Sequence, residues 1–263
     1  MDIKPGVDKY SRSVNGIDIY FKCQFIPGSN EAVLCLHGLG CSSGSFSNIF
    51  EGGYLPDKTI IVPDFAGFGN SAKPAKFSYS MEEQAAIIEE LMGLFPKLKI
   101  HIAAHSMGGA VGLLFSRGFF DRVASFANIE GNLIAEDCGI LSRGIAGLTF
   151  EKYKEELFPK QLNEFAGHNQ LRFEESTPEA IYRSAVSLVK CSDSGELLER
   201  FERLKCKKCY IFGEENRGMP VLRRLSGIPI VMISRAGHNI MTDNPDEFYP
   251  NLAAFINIQK LHL

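Results

Sequence analysis

The sequence lacks an apolar run long enough to cross a bilayer, and its first ten residues lack the apolar core of a secretory signal. It also lacks an excess of basic residues, since its 263 residues carry a formal net charge of -3. Nucleic acids and anionic membrane surfaces are therefore not expected partners. With 45% hydrophobic and 22% charged residues and no repeats or linkers, the composition is typical of a globular enzyme.

The cysteine spacing indicates neither a metal site nor a redox motif. The seven cysteines are spread along the chain, and only Cys206 and Cys209 have the Cys-x-x-Cys spacing. A zinc site would need a second pair or suitably spaced histidines, and a redox motif would be followed by a helix, whereas strand-forming residues follow here. The pattern predicts reduced thiols, no metal and a cytoplasmic protein.

Short apolar segments alternate with helical patterns over most of the chain. Strands are predicted at Tyr10–Val14, Ile17–Phe25, Ala32–Leu36, Thr59–Val62, Leu98–Ala104, Val123–Ile129, Cys209–Phe212 and Ile228–Ile233. Helices are predicted at Ser80–Phe95, Met107–Arg117 and from Pro245 to Ile258. This alternation indicates the α/β class, with a mostly parallel sheet covered on both faces.

The alternation stops within residues 133–204, which are charged and helical without a clear buried strand. Thr177 followed by Pro178 is a typical helix start within this segment. We therefore expect an α/β core formed by residues 1–132 and 205–263, with a helical insertion at 133–204.

A serine stands where a predicted strand meets a predicted helix. Ser106 follows an apolar stretch and precedes Met107, two glycines and a helix-forming segment. Such a tight turn has room only for small neighbours, and it presents the hydroxyl beside the free amides of a helix start. Ser106 is therefore a candidate nucleophile.

Four segments resemble motifs of the α/β-hydrolase family and follow one another in the family's order. They are His37–Gly40 after the third strand, Asp64–Ser71 after the fourth, the turn around Ser106, and Ala236–Asn239 after the last strand. The turn has Ala104 where the family has glycine, and alanine is still small enough for it. The resemblance implies an α/β-hydrolase fold with a helical cap at 133–204, and a serine hydrolase that needs no metal or organic cofactor.

The nucleophile needs a base, because a serine hydroxyl is protonated at neutral pH. His238 follows the last apolar strand and precedes a helix, so it is predicted to emerge at the same sheet edge as Ser106. His101 lies within a strand, and His105 adjoins the serine and cannot fold back onto its hydroxyl. The other histidines are assigned to the loop after the third strand, the insertion and the tail: His37, His168 and His262.

The resemblance also implies an oxyanion hole. In the family, the amide after the nucleophile and an amide just after the third strand converge on the developing negative charge. Here these amides belong to Met107 and Leu39. Losing one such donor typically raises the barrier by about 2.7–4 kcal/mol.

The acid of the triad departs from the usual family pattern, because Asn216 stands where most members have aspartate after the seventh strand. Glu130, at the end of the sixth strand, where a minority of the family places its acid, is the preferred candidate. Glu214 and Glu215 are alternatives, and a dyad without an acid is a third. The non-catalytic interpretation of Glu130 is an ion pair with Arg143 in the insertion.

These residues predict a serine hydrolase that cleaves a small-molecule ester or related acyl bond through an acyl-enzyme. One alternative is a carbon–carbon bond hydrolase or lyase using the same residues, since the fold hosts many chemistries. Another is a slow or non-catalytic ligand receptor. Three phenylalanines of the insertion are candidate pocket residues, although their spacing is more typical of a helical core: Phe150, Phe158 and Phe165.

Overall fold

An eight-stranded sheet forms the centre of the protein. The computed structural model describes residues 3–167 and 171–257, so His168 and His262 lie outside the described residues. The strands are β1 (Gly6–Val14), β2 (Ile17–Phe25), β3 (Glu31–Leu36), β4 (Thr59–Pro63), β5 (Lys99–His105), β6 (Val123–Ile129), β7 (Lys207–Gly213) and β8 (Ile230–Ile233). Their order is β1-β2-β4-β3-β5-β6-β7-β8. Only β2 pairs antiparallel, with β1 and β4, which confirms the mostly parallel α/β sheet.

The first two strands form the hairpin that the sequence predicts. Asn15 and Gly16 connect them with φ values of 51° and 79°, as a two-residue type I′ turn requires. β1 begins four residues earlier than predicted, at Gly6, because the residues before Tyr10 pair with β2 although they are exposed. Edge residues with no buried face give no apolar alternation by which to recognise them.

Ten helices lie within the described residues. They are α1 (Met81–Leu91), α2 (Met107–Leu113), α3 (Arg117–Phe120), α4 (Gly139–Ala146), α5 (Phe150–Lys152), α6 (Phe158–Glu164), α7 (Pro178–Asp193), α8 (Glu196–Arg203), α9 (Ile240–Asp243) and α10 (Pro245–Asn257). Short 3₁₀ segments lie at Ser43–Ile49, Met92–Leu94, Ala135–Cys138, Phe173–Glu175, Glu214–Asn216 and Pro220–Arg223, and a π-helical turn at Tyr153–Leu157. None of the described helices is long and apolar enough to span a membrane.

Both faces of the sheet are buried. Along β3, Leu34 belongs to one apolar cluster, while its neighbours Val33 and Cys35 belong to another. Successive side chains of a strand point to opposite faces, so the two clusters are the two sides of the sheet. The first includes residues of α1, α2, α7 and α8, and the second includes residues of α9 and α10.

Two helix starts illustrate how local capping shapes the chain. Thr177 caps α7 by accepting a hydrogen bond from the Ala180 amide, with Pro178 at the first helical position, as predicted. The prediction of a single helix over Met107–Arg117 is wrong. Instead α2 ends at Leu113, and the Ser116 hydroxyl accepts from the Phe119 amide and begins α3.

The described residues between β6 and β7 form no strand, and α4 to α8 follow one another there. The 3₁₀ segment after β6 and α4 both contact α7. Because β6 and β7 pair directly, this helical segment leaves the sheet at the end of β6 and returns without interrupting it.

Candidate active site

Ser106 is held in a strained turn between β5 and α2. Its φ and ψ are 51° and -121°, a conformation that residues with a side chain rarely adopt. Its amide donates to the Ile129 carbonyl at 3.0 Å, and its own carbonyl accepts from the Gly109 amide at 2.8 Å. The backbone on both sides therefore fixes the serine at the carboxyl edge of the sheet.

The two glycines after this turn allow close backbone packing. A Cβ at Gly108 would lie 2.5 Å from the Leu36 carbonyl oxygen, and one at Gly109 would lie 2.7 Å from the Cα of Gly131. Distances this short leave no space for a side chain. The start of α2 therefore packs directly on the end of β3 and on the turn after β6, which brings Glu130 to the same region as Ser106.

His238 and Glu130 meet at this edge. The Nδ1 atom of His238 lies 2.6 Å from Oε2 of Glu130, whose side chain is 1% exposed. A carboxylate only accepts hydrogen bonds, so Nδ1 carries the proton and Nε2 is left as an acceptor. Such charge-assisted bonds are short and strong. The imidazole is thereby oriented as a general base requires, and about half of its side chain is exposed.

The Glu130 carboxylate receives further hydrogen bonds from the end of β7 and from the loop that follows it. The Gly213 amide donates to Oε1 at 2.8 Å, and Asn216 Nδ2 lies 2.9 Å from both oxygens. A buried carboxylate is tolerated only with such partners. Arg143 pairs with Asp193 instead of Glu130, so the ion pair considered for Glu130 is not formed.

The alternative acids contact the backbone before His238 rather than its ring. Glu214 accepts from the Arg235 amide at 3.0 Å. Glu215 lies beside Gly237, where an added Cβ would be 3.0 Å from its Oε2. The ring of His238 therefore meets Glu130, while these two glutamates border the loop that carries it.

The side chain of His105 hydrogen-bonds to the main chain of His238. Its buried Nε2 donates to the His238 carbonyl at 2.9 Å, and the two rings lie 4.7 Å apart. Burial lowers the pKa of His105 well below its usual 6.5, so the ring is neutral at physiological pH. No local sequence signal predicts this contact, because it joins residues 133 positions apart.

The turn after β3 carries the first predicted oxyanion donor, Leu39. His37 stabilises this turn: its Nε2 accepts from the Phe65 amide at 3.0 Å, and its Nδ1 donates to the Gly38 carbonyl at 2.8 Å. Leu39 lines the cavity that contains Ser106. The second predicted donor, Met107, is the first residue of α2, so its amide is among those with no partner inside the helix.

A cavity of about 470 Å³ joins these residues, and Ser106, Glu130, Asn216 and His238 all line it. The helical segment contributes Cys138, Leu141, Ser142 and Leu171 to its wall. The three candidate phenylalanines instead pack on other aromatic rings: Phe150 on Tyr182, Phe158 on Tyr153, and Phe165 on Phe173.

The charged residues of the cavity wall are acidic. Glu136 and Asp137 line it together with Glu130, and none of its described lining residues is Lys or Arg. Burial raises the pKa of Asp137 to about 6. Within residues 3–167 and 171–257, no group of three or more His, Cys, Asp or Glu side chains is arranged to hold a metal ion.

Comparison with known proteins agrees with this architecture. The model of the α/β hydrolase fold family matches residues 31–194. A probable lysophospholipase of Arabidopsis thaliana is 34% identical over 117 residues, 41% of this chain and 26% of that protein. Lipase 1 of Psychrobacter immobilis is 23% identical over 262 residues, covering 88% of this chain and 78% of the lipase.

Among solved structures, an N-acyl homoserine lactonase complexed with N-butanoyl homoserine has a TM-score of 0.75 at 18% identity, covering 97% of this chain and 100% of that one. The chain spans only 26% to 40% of the length of the first curated relatives that it matches. Because the family model matches more than half of the chain, the chain belongs to the α/β hydrolase fold family.

Proposed function

We propose that the protein is a serine hydrolase that cleaves small-molecule carboxylic esters through an acyl-enzyme intermediate. The observation that carries this proposal is the 2.6 Å contact between Glu130 and His238 in the wall of the cavity that Ser106 also lines. Membership of a family with lipase relatives supports the hydrolase class.

In this reaction the Ser106 oxygen attacks the ester carbonyl carbon while Nε2 of His238 takes the hydroxyl proton. The tetrahedral intermediate then expels the alcohol, which receives that proton from His238. Water then attacks the acyl-enzyme carbonyl while His238 accepts one of its protons. Collapse of the second tetrahedral intermediate releases the acid as His238 returns that proton to the Ser106 oxygen. Glu130 stabilises the imidazolium that forms in both halves, since it already contacts Nδ1.

The negative charge that develops on the carbonyl oxygen is assigned to the amides of Leu39 and Met107. Leu39 follows β3 and Met107 follows the nucleophile, so the two donors come from adjacent strands, β3 and β5. Donors held by a backbone need no reorganisation when the charge appears, and each is typically worth about 2.7–4 kcal/mol of barrier.

Residues 133–204 are proposed to act as a cap that shapes the substrate pocket. Arg172 donates its amide to the Gly40 carbonyl at 2.7 Å, so this segment is anchored on the turn that carries Leu39. The acidic wall should disfavour anionic acyl groups, because like charges repel strongly in a partly buried site. We expect kcat/KM for p-nitrophenyl butyrate to exceed that for p-nitrophenyl hemisuccinate roughly tenfold at pH 8.

A fluorophosphonate probe tests the proposal directly. We expect intact-mass analysis to show one adduct per chain at neutral pH, and peptide mapping to place it on Ser106. The Ser106→Ala variant should not be labelled. Failure of the unmodified chain to react would reject the serine hydrolase and favour a non-catalytic receptor. Turnover of a vinylogous diketone without ester turnover would favour the carbon–carbon hydrolase.

A further inference from the structure

Asn216 occupies the position where the usual family pattern places the acid, yet its contacts are those of a hydrogen-bond donor. Its Nδ2 atom lies 2.9 Å from both oxygens of Glu130. An ionised carboxylate has no proton to donate, so the amide nitrogen and not its oxygen must face it. The orientation of this side chain therefore follows from the chemistry of its partner.

The bonds around Glu130 divide the carboxylate between two neighbours. Oε1 accepts from Gly213 and Asn216, while Oε2 accepts from Asn216 and from His238 Nδ1. Asn216 thus bridges both oxygens and limits rotation of the carboxylate about its last bond. Such rotation would move Oε2 away from the imidazole.

We propose that Asn216 is a positioning residue that holds Glu130 against His238. In this chain the carboxylate follows β6, and the residue that supports it follows β7, where most family members have the acid. This inference rests on the proposed function, in which Glu130 is the acid. An aspartate at position 216 would put a second carboxylate within 3 Å of the first, and two carboxylates this close do not both ionise readily. A neutral amide gives support without that conflict.

Three variants test this role. Asn216→Leu removes the donor at similar volume, and Asn216→Asp keeps the shape but replaces the donor with a like charge. Asn244→Leu is the matched control, because Asn244 also donates to a glutamate, Glu247 at 2.9 Å, at the start of α10. Denaturant unfolding of all three verifies that the proteins compared are folded.

We expect Asn216→Leu to lower kcat about 10- to 100-fold with little change in KM, as for a lost bond to a charged group that acts in the transition state. Asn216→Asp should also lose activity at neutral pH, and Asn244→Leu should not. The Glu130→Gln, Asn216→Leu double variant should be no worse than Glu130→Gln alone, because both changes act through one carboxylate. Additive losses, or Asn216→Asp equal to or better than the unmodified chain, would overturn the proposal.

A measurement independent of turnover separates this inference from the proposed function. The downfield proton resonance of His238 Nδ1 should be sharp in the unmodified chain and in Asn244→Leu, and broadened by exchange in Asn216→Leu. An unchanged resonance in Asn216→Leu would overturn the role of Asn216 while leaving the hydrolase standing. Absence of Ser106 labelling would reject the hydrolase, and the resonance would still decide whether Asn216 positions Glu130.

Discussion

Two opposite ends of the sheet each bring a serine, a histidine and a glutamate together. At the carboxyl edge these are the residues of the candidate active site around Ser106. At the amino end, His101 Nδ1 is hydrogen-bonded to Ser125 Oγ at 2.7 Å, and its Nε2 lies 3.7 Å from Oε2 of Glu31. The buried Lys58 binds the same Glu31 oxygen at 2.9 Å.

The two groups share these residue types but differ in the features that we expect a nucleophile to need. Ser125 is fully buried within β6, whereas Ser106 stands in a strained turn at the start of a helix and lines a cavity. Glu31 is paired with a lysine, whereas Glu130 accepts hydrogen bonds from uncharged donors and from His238. The two groups therefore differ in whether the serine is accessible, whether the amides of a helix start lie beside it, and whether the carboxylate is paired with a lysine.

The largest contrast is expected between the two serines. Ser106→Ala should lower kcat about 10⁵- to 10⁶-fold, the typical loss when the nucleophile of a serine hydrolase is removed. Ser125→Ala should keep kcat/KM within about twofold and lose about 0.5–1.5 kcal/mol of unfolding free energy, because one buried hydrogen bond disappears. Ester hydrolysis and denaturant titration measure both. Loss of activity in a well-folded Ser125→Ala would break the comparison.

Replacing the two glutamates should also affect kcat unequally, although by a smaller factor than replacing the two serines. Glu130→Gln is expected to lower kcat roughly 10³- to 10⁴-fold, since an uncharged amide does not stabilise the imidazolium. Glu31→Gln should leave kcat unchanged and destabilise the fold by about 1.5–3 kcal/mol, because Lys58 loses a charged partner. Glu215→Gln serves as a control near the site and should retain full activity. A large loss in Glu215→Gln with none in Glu130→Gln would reassign the acid.

The smallest expected effect concerns pH and stability. Burial lowers the pKa of His101 below 6.5, and also that of His37 and His105. Through these three histidines the folded state binds fewer protons than the unfolded state, so their contribution to stability is present above pH 6.5 and is lost as pH decreases below it, by about 1.4 kcal/mol per unit of pKa difference at most. The raised pKa of Asp137 acts in the opposite direction near pH 6, so the contribution of His101 is read from the difference between variant and unmodified chain. His101→Gln should flatten this dependence between pH 7.5 and 5.5 in denaturant titrations. An unchanged slope would show that the amino-end histidine titrates normally.

The sequence predicts most of the fold because its signals are local. Apolar strands, the turn at Asn15 and Gly16, and the helix start at Thr177 each depend on a few adjacent residues. Ser106 is detectable for the same reason. The prediction that His238 lies at the same sheet edge as Ser106 needs only the rule that the carboxyl ends of parallel strands meet at one edge.

Contacts across elements were harder to predict. The sequence shows only that Asn216 stands where most family members have the acid. Its donation to Glu130 joins loops 86 residues apart, and local patterns do not reveal such a contact. The group around His101 depends on strand register, which pairs it with Ser125 on the neighbouring strand. The sequence does not indicate the end of α2, because Ser116 is a helix cap only when the chain turns there.

The contact between Gly109 and Gly131 has a consequence for motion within the site. Because the two backbones are in direct contact with no side chain between them, we expect the helix after Ser106 and the turn after Glu130 to move together. His238 belongs to a separate loop after β8, held through its carbonyl by His105 and through its ring by Glu130. The position of His238 therefore depends on these two side-chain contacts, and we expect the loss of either one to lower turnover before it lowers the melting temperature.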